Sequence, residues 1–211
     1  NAMGYQTLFF QVGGLGSVHA SVLQALSQFS AAMGSLLGGW IGDKASTWSR
    51  FHGRPLVAQV SVFSGIPIAW FVFMVAPPEH GTFLYYMTLV ILLGLLATWC
   101  GTGVNWPILS EIVEPDNRSS VMAWETALEG SCAAIFGNAA VGFLAENAFH
   151  YDLDNANASS MDRSNMKALG SALMLTSFVP WVICLMLYSL LHSAYPRDLR
   201  NMLERRKLAI V

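Results

Sequence analysis

Long apolar stretches separated by short polar clusters dominate the 211-residue chain. A helix needs about 20 mostly apolar residues to cross the hydrocarbon core of a bilayer. Five stretches meet that length, at residues 18–42, 55–77, 82–110, 119–146 and 167–194. A sixth, at 3–15, is too short to span and reads as a helix cut off at its start. Backbone in lipid must satisfy its own hydrogen bonds, so each stretch is expected to be helical. The breaks between them are Gly13-Gly14 with Gly16, then SRFHGRP at 49–55, APPEHG at 76–81, EPDNR at 114–118 and a polar loop at 147–166. The pattern predicts an all-α membrane protein, a six-helix transmembrane bundle occupying residues 1–211. The closing segment 195–211, YPRDLRNMLERRKLAIV, is expected to form an interfacial or aqueous helix. No soluble domain, heptad repeat or low-complexity tract interrupts the pattern.

Composition agrees with a bilayer. Hydrophobic residues make up 54% of the chain and charged residues 11%, against about 25% charged in soluble domains. Cys100, Cys132 and Cys184 all lie in apolar runs. Their odd number and wide spacing fit neither a disulfide framework nor a zinc site, so they are read as small packing residues. The start has neither a basic lead nor the small-residue cleavage site of a secretory signal. Its apolar opening is expected to lie inside a helix of a longer protein.

The cations are unevenly placed. If alternate loops share a side, one side carries Lys44, Arg50, Arg54, Arg118, Arg197, Arg200, Arg205, Arg206 and Lys207, and the other Arg163 and Lys167. The positive-inside rule then puts the first side, with the C-terminus, in the cytoplasm, or in the stroma or matrix of an organelle. The 147–166 loop, with Asp152, Asp154, Asp162 and a glycosylation sequon at Asn157, is expected on the far side. A second sequon, at Asn117, is expected on the basic side and therefore unmodified.

Within the first basic cluster, Gly39, Asp43 and Lys44 fit G-x-x-x-D-[RK], and Gly53-Arg54 follows after eight intervening residues. Glu111, Pro115 and Arg118 sit two loops on, on the same basic side. Together these resemble the signature loops of the major facilitator superfamily (MFS), and the stretched spacing resembles the second copy, between helices eight and nine. The resemblance implies the C-terminal half of such a transporter, helices seven to twelve, with the seventh only partly present. It implies that Gly39, Asp43, Lys44, Arg54, Glu111 and Arg118 form a gate and hinge network. Physically, Gly34, Gly38 and Gly39 are expected to let a neighbouring helix approach closely. Asp43 is expected to cap a facing helix N-terminus, at about 0.3–1 kcal/mol, or to pair with Arg118.

Glu125 and Glu129 are four apart on one helical face. They lie roughly 10 and 16 Å from Arg118 along a helix rising 1.5 Å per residue. A carboxylate at that depth is a candidate for proton coupling, with structural pairing as the alternative. By the resemblance, Gln6, Gln11, Asn105 and Trp106 are candidate substrate-cavity residues. Interhelical hydrogen bonding is the competing role for each.

No metalloprotease, Walker or nucleophile-elbow motif is present, and His19, His52, His80, His150 and His192 sit at segment ends and are not expected to cluster as metal ligands. Enzymatic chemistry, cofactors, metals and nucleic acid are therefore not expected, and the basic loops suit lipid headgroups. The expected partners are a small-molecule substrate, membrane lipids, and the missing N-terminal half or other membrane subunits. The leading expectation is a secondary active transporter of a small solute by alternating access, with proton symport as its candidate coupling. The alternative is a transporter-like structural or accessory subunit of a larger membrane complex.

Overall fold

A computed structural model describes residues 3–75, 82–151 and 163–208. Among them all regular structure is helical: α1 (Met3–Val12), α2 (Ser17–Trp48), α3 (Gly53–Phe73), α4 (Thr82–Leu96), α5 (Trp106–Ile112), α6 (Arg118–Cys132), α7 (Asn138–Phe143) and α8 (Arg163–Leu208). A π-helical turn at Gly101–Asn105 lies between α4 and α5, in a rod spanning Thr82–Ile112. Two more, at Ala133–Gly137 and Leu144–Ala148, flank α7 in a rod spanning Pro115–Ala148. The sequon at Asn157, with Asp152, Asp154 and Asp162, lies outside the described residues.

Four helices among the described residues are long and apolar enough to cross a membrane: Gly53–Phe73, Thr82–Ile112, Pro115–Ala148 and Arg163–Arg205. The fifth expected span, 18–42, lies within α2, which has ample length at 32 residues. It falls short in apolarity, because His19, Gln24, Gln28 and a series of serines dilute it. The tail is helical over its described residues, as the continuation of α8, whose 46 residues extend about 69 Å at 1.5 Å per residue. Pro196 lies within this helix without ending it. Tyr195, Leu199 and Met202 recur at helical spacing and are all buried, so packing on one face carries the helix through the proline.

The most extensive helix pairing among the described residues is α2 against the Thr82–Ile112 rod. Gly34, Gly38 and Gly42 fall on one face of α2 at four-residue intervals and are all buried. A methyl group on Gly34 would meet the Gly94 carbonyl, and one on Gly42 the Gly103 carbonyl. On Gly38 it would lie 2.6 Å from Trp99 Cα. Such contact is possible only without side chains. Hydroxyls bond across the seam: Thr102 Oγ1 donates to the Ser35 carbonyl at 2.7 Å, and Thr98 Oγ1 to the Ala31 carbonyl at 3.2 Å. Gly39 takes no part, since nothing lies within 4 Å of where its Cβ would be. The expectation for Gly39 is thus corrected to Gly42, which lies one turn beyond Gly38 on the contacting face.

Burial concentrates in two clusters. One gathers Phe9, Phe10, Val72, Tyr86, Val141 and Leu173. The other gathers Val57, Ala58, Val104, Ile108, Tyr195 and Leu199. The Pro115–Ala148 rod contacts α5 through α6, and α1 and α8 through α7 and the turn after it. Between these anchors it stands away, with no buried residue in Arg118–Cys132 or Ala133–Gly137.

Two alanine substitutions separate packing from helix propensity. Gly38→Ala is expected to lower stability by about 1–3 kcal/mol through overpacking. Gly39→Ala faces open space and is expected to raise it by up to about 1 kcal/mol. Thermal unfolding of the purified chain in detergent reads both, and equal shifts would contradict the seam.

Candidate functional site: a charged clamp at the basic end

The clamp begins with how α2 ends. The helix runs five residues past Asp43 to Trp48, where Ser49 N–H donates to the Ala45 carbonyl at 2.8 Å. Four residues then reverse the chain, and Gly53 N–H donates to the Ser49 carbonyl at 2.8 Å. A Cβ on Gly53 would collide with the Ala45 carbonyl. Glycine at this position lets α3 start hard against the last turns of α2, and that brings Arg54 back to Asp43.

Arg54 is buried, with 7% of its surface exposed. Its Nη2 donates to Asp43 Oδ1 at 3.0 Å and its Nη1 to the Gly103 carbonyl at 3.1 Å. Its Nε has no hydrogen-bond partner but lies 3.7 Å from Glu111 Oε1, within ion-pair range. Tyr195 Oη on α8 donates to Glu111 Oε2 at 2.6 Å. One guanidinium thus ties together α2, α3 and the Thr82–Ile112 rod, and Tyr195 adds α8. Arginine suits this position because its planar fork serves several acceptors at once. The carboxylate side is open: the Asp43 side chain is 74% exposed and that of Glu111 34%. A cavity of about 600 Å³ adjoins it, lined by Ser46, Thr47, Arg50, Glu111, Arg118 and Tyr195 among others.

The expected partner of Asp43 is corrected accordingly. The carboxylate pairs with Arg54, while Arg118 lines the cavity and its Nε donates to the Val113 carbonyl at 3.3 Å. The reach of α2 beyond Asp43, which returns the chain to it, is not evident from motif spacing. Lys44 lies outside the clamp, its ammonium 5.2 Å from the centre of the Trp40 ring one turn back.

The other expected residues fall into separate places. Glu125, half-buried, accepts from Trp106 Nε1 at 3.3 Å and from Thr126 Oγ1 at 3.4 Å. Glu129 is exposed, one turn further along the unburied part of α6. Among the described residues, no ion pair includes either glutamate. Asn105 Oδ1 accepts from Tyr188 Oη at 3.0 Å. Gln6 is buried and Gln11 exposed on α1, which packs on α2, α7 and α8. The four cavity candidates therefore form two groups, with Trp106 joined to Glu125. Cys132 is exposed rather than packed.

Sequence reasoning missed Tyr195, which looks like the first residue of a tail. It also missed a chain of contacts linking α3 to α8 through His52, His192, Gln59 and Ser189. His52 and His192 are separated by 140 positions, and no local signal joins them.

The fold and its composition define an all-α, multi-pass membrane protein with four candidate spanning helices. No protein-family model, curated protein or solved structure matches the chain.

The clamp predicts a ranking of stabilities. Arg54→Met removes the exposed pair with Asp43 together with the buried bond that Arg54 donates to the Gly103 carbonyl, and Tyr195→Phe removes one bond donated to a carboxylate; the buried bond and the Tyr195 bond are each worth about 1.5–3 kcal/mol. Asp43→Asn alters a mostly exposed pair and is expected to cost under about 1 kcal/mol. Thermal unfolding should order them Arg54→Met, Tyr195→Phe, Asp43→Asn from most to least destabilised. An Asp43→Asn loss equal to that of Arg54→Met would mean that the ion pair, and not the backbone anchor, dominates.

Proposed function

We propose that the chain is the C-terminal six-helix half of a major facilitator-type secondary transporter, which moves a small solute by alternating access without chemistry on it. The observation that carries this reading is the clamp. The residues of the G-x-x-x-D-[RK] loop and the later Gly53-Arg54 close on each other, and they engage Glu111 from the second signature loop. A charge cluster linking four helices at one membrane edge is suited to a gate. Its bonds hold one arrangement, and its open carboxylates let water take over when they part. The cation count orients this end toward the cytoplasm or an equivalent compartment.

The stand-off of α6 supports a transport path. A spanning rod anchored near its ends leaves α6 without a buried residue, with Glu129 exposed and Glu125 half-buried against Trp106. In a complete transporter that face of α6 would line the space shared with the other half, and binding near the midplane between halves is the common design. Glu129 would carry the coupled proton, with Glu125 held by Trp106 as its neighbour. One charge moved across 100 mV supplies about 2.3 kcal/mol, enough for appreciable accumulation.

Two measurements test this. Uptake into proteoliposomes under an imposed pH gradient should lose its pH dependence in Glu129→Gln, while exchange of solute persists. Unchanged pH dependence would remove Glu129 from coupling. Separately, Cys132 should react with a membrane-impermeant thiol reagent in intact membranes, and faster than the half-buried Cys100 and Cys184. An inert Cys132 would put that face of α6 against lipid or a partner subunit, favouring a structural or accessory role.

A further inference from the structure

On the α3–α8 seam, beside the clamp, lies a polar chain whose hydrogen-bond directions are fixed from one end. Ser189 Oγ donates to the Leu185 carbonyl at 3.0 Å. Its single proton is spent there, so it must accept from Gln59 Nε2 at 2.8 Å. That orients the amide and leaves Gln59 Oε1 to accept from His192 Nε2 at 3.1 Å. A neutral imidazole carries one proton, so His192 Nδ1 presents a lone pair. It faces His52 Nδ1 at 3.1 Å.

We propose that His52 and His192 form a two-imidazole site for a divalent transition-metal ion of the nitrogen-seeking class, Cu²⁺ foremost and Zn²⁺ or Ni²⁺ after it. The separation fits. With metal–nitrogen bonds of about 2.0–2.1 Å, nitrogens 3.1 Å apart subtend about 98° at the metal, between a right angle and the tetrahedral angle. The two rings lie within 30° of parallel, so a tilt of each turns both lone pairs toward one point. His52 must move its proton from Nδ1 to Nε2, and its exposed ring can exchange that proton with water. The remaining positions on the ion are left to water. Among the described residues no three His, Cys, Asp or Glu side chains converge as metal ligands, which limits the protein's share to these two.

The supporting shell is what distinguishes this pair from two surface histidines that happen to meet. Metal-binding histidines characteristically donate their second N–H to a carbonyl or carboxylate, which fixes the tautomer and raises basicity. Gln59 does this for His192, and Ser189 and a helix carbonyl hold Gln59 in turn. The ligands also select the ion. Two imidazole nitrogens do not suit Mg²⁺ and Ca²⁺, which prefer oxygen ligands, whereas imidazole bonding favours Cu²⁺ over the other divalent ions. Occupation would tie the start of α3 to α8, two residues from Arg54 and three from Tyr195. It would hold the clamp's two sides together.

The test needs no transport readout, so its outcome is separate from that of the proposed function. The full chain, purified without a polyhistidine tag, is titrated with Cu²⁺ and followed by electron paramagnetic resonance. One equivalent with two-nitrogen coordination is expected. His52→Ala and His192→Ala should each abolish that signal, and Gln59→Leu should weaken binding 10–100-fold. Excess Mg²⁺ should not compete. Should the variants unfold, the wild type alone suffices: bound Cu²⁺ should protect His52 and His192 from diethyl pyrocarbonate, read by mass spectrometry. Equal modification with and without the ion, or an undiminished signal in the double alanine variant, overturns the site.

Discussion

The approach of α2 to the Thr82–Ile112 rod is the constraint on which the rest depends. Its glycines allow backbone to touch backbone, and Gly103 stands at the centre. It packs against Gly38, it limits what can occupy position 42, and its carbonyl accepts from Arg54. The buried cation is therefore anchored to a main-chain atom that is itself fixed by helix packing. Removing the side chains from one seam makes possible the charge placement beside it. In lipid, where apolar contacts between helices offer little over contacts with acyl chains, this combination of van der Waals contact and interhelical hydrogen bonds holds helices together.

Hydrophobic runs revealed the helices well, because length and apolarity are what a bilayer demands and both are written locally. The runs at 55–77, 82–110 and 119–146 lie close to helical rods at Gly53–Phe73, Thr82–Ile112 and Pro115–Ala148. The last run, 167–194, is the core of a much longer helix, because the buried face of Tyr195 and Leu199 continues beyond the apolar stretch. The polar residues of α2 lower its apolarity without shortening it, so length alone does not separate it from the four candidate spans. The clamp was only partly legible. The motifs single out Asp43, Arg54 and Glu111, but their pairing depends on where α2 stops, and Arg54 takes the place beside Asp43 that the spacing suggests for Arg118. Tyr195 and the histidine pair were invisible, since they arise from contacts across 84 and 140 positions.

Stability and exposure are divided along the molecule. The clamp end and the opposite aromatic cluster are each well packed, while the Pro115–Ala148 rod between its anchors is not. An element held at its extremities can bow or swing with little loss of packing, so motion is cheapest where the two glutamates sit. The same division makes this face the natural place for another chain, a solute or water to meet the protein.

The π-helical turns give this rod a further property. Each inserts a residue relative to an α-helix, which advances the side chains beyond it by about 100°. In a plain α-helix Val141 would lie about 120° round the axis from Glu129, twelve residues away. The turn at Ala133–Gly137 takes up about 100° of that and brings the face of α7 that buries Val141 nearly into line with the face of α6 that bears Glu129. The turn acts as a phase corrector: one side of the rod is the anchor over α7 and carries the carboxylate over α6. Rewinding it to a plain α-helix would swing Glu129 away from the side on which the rod is anchored.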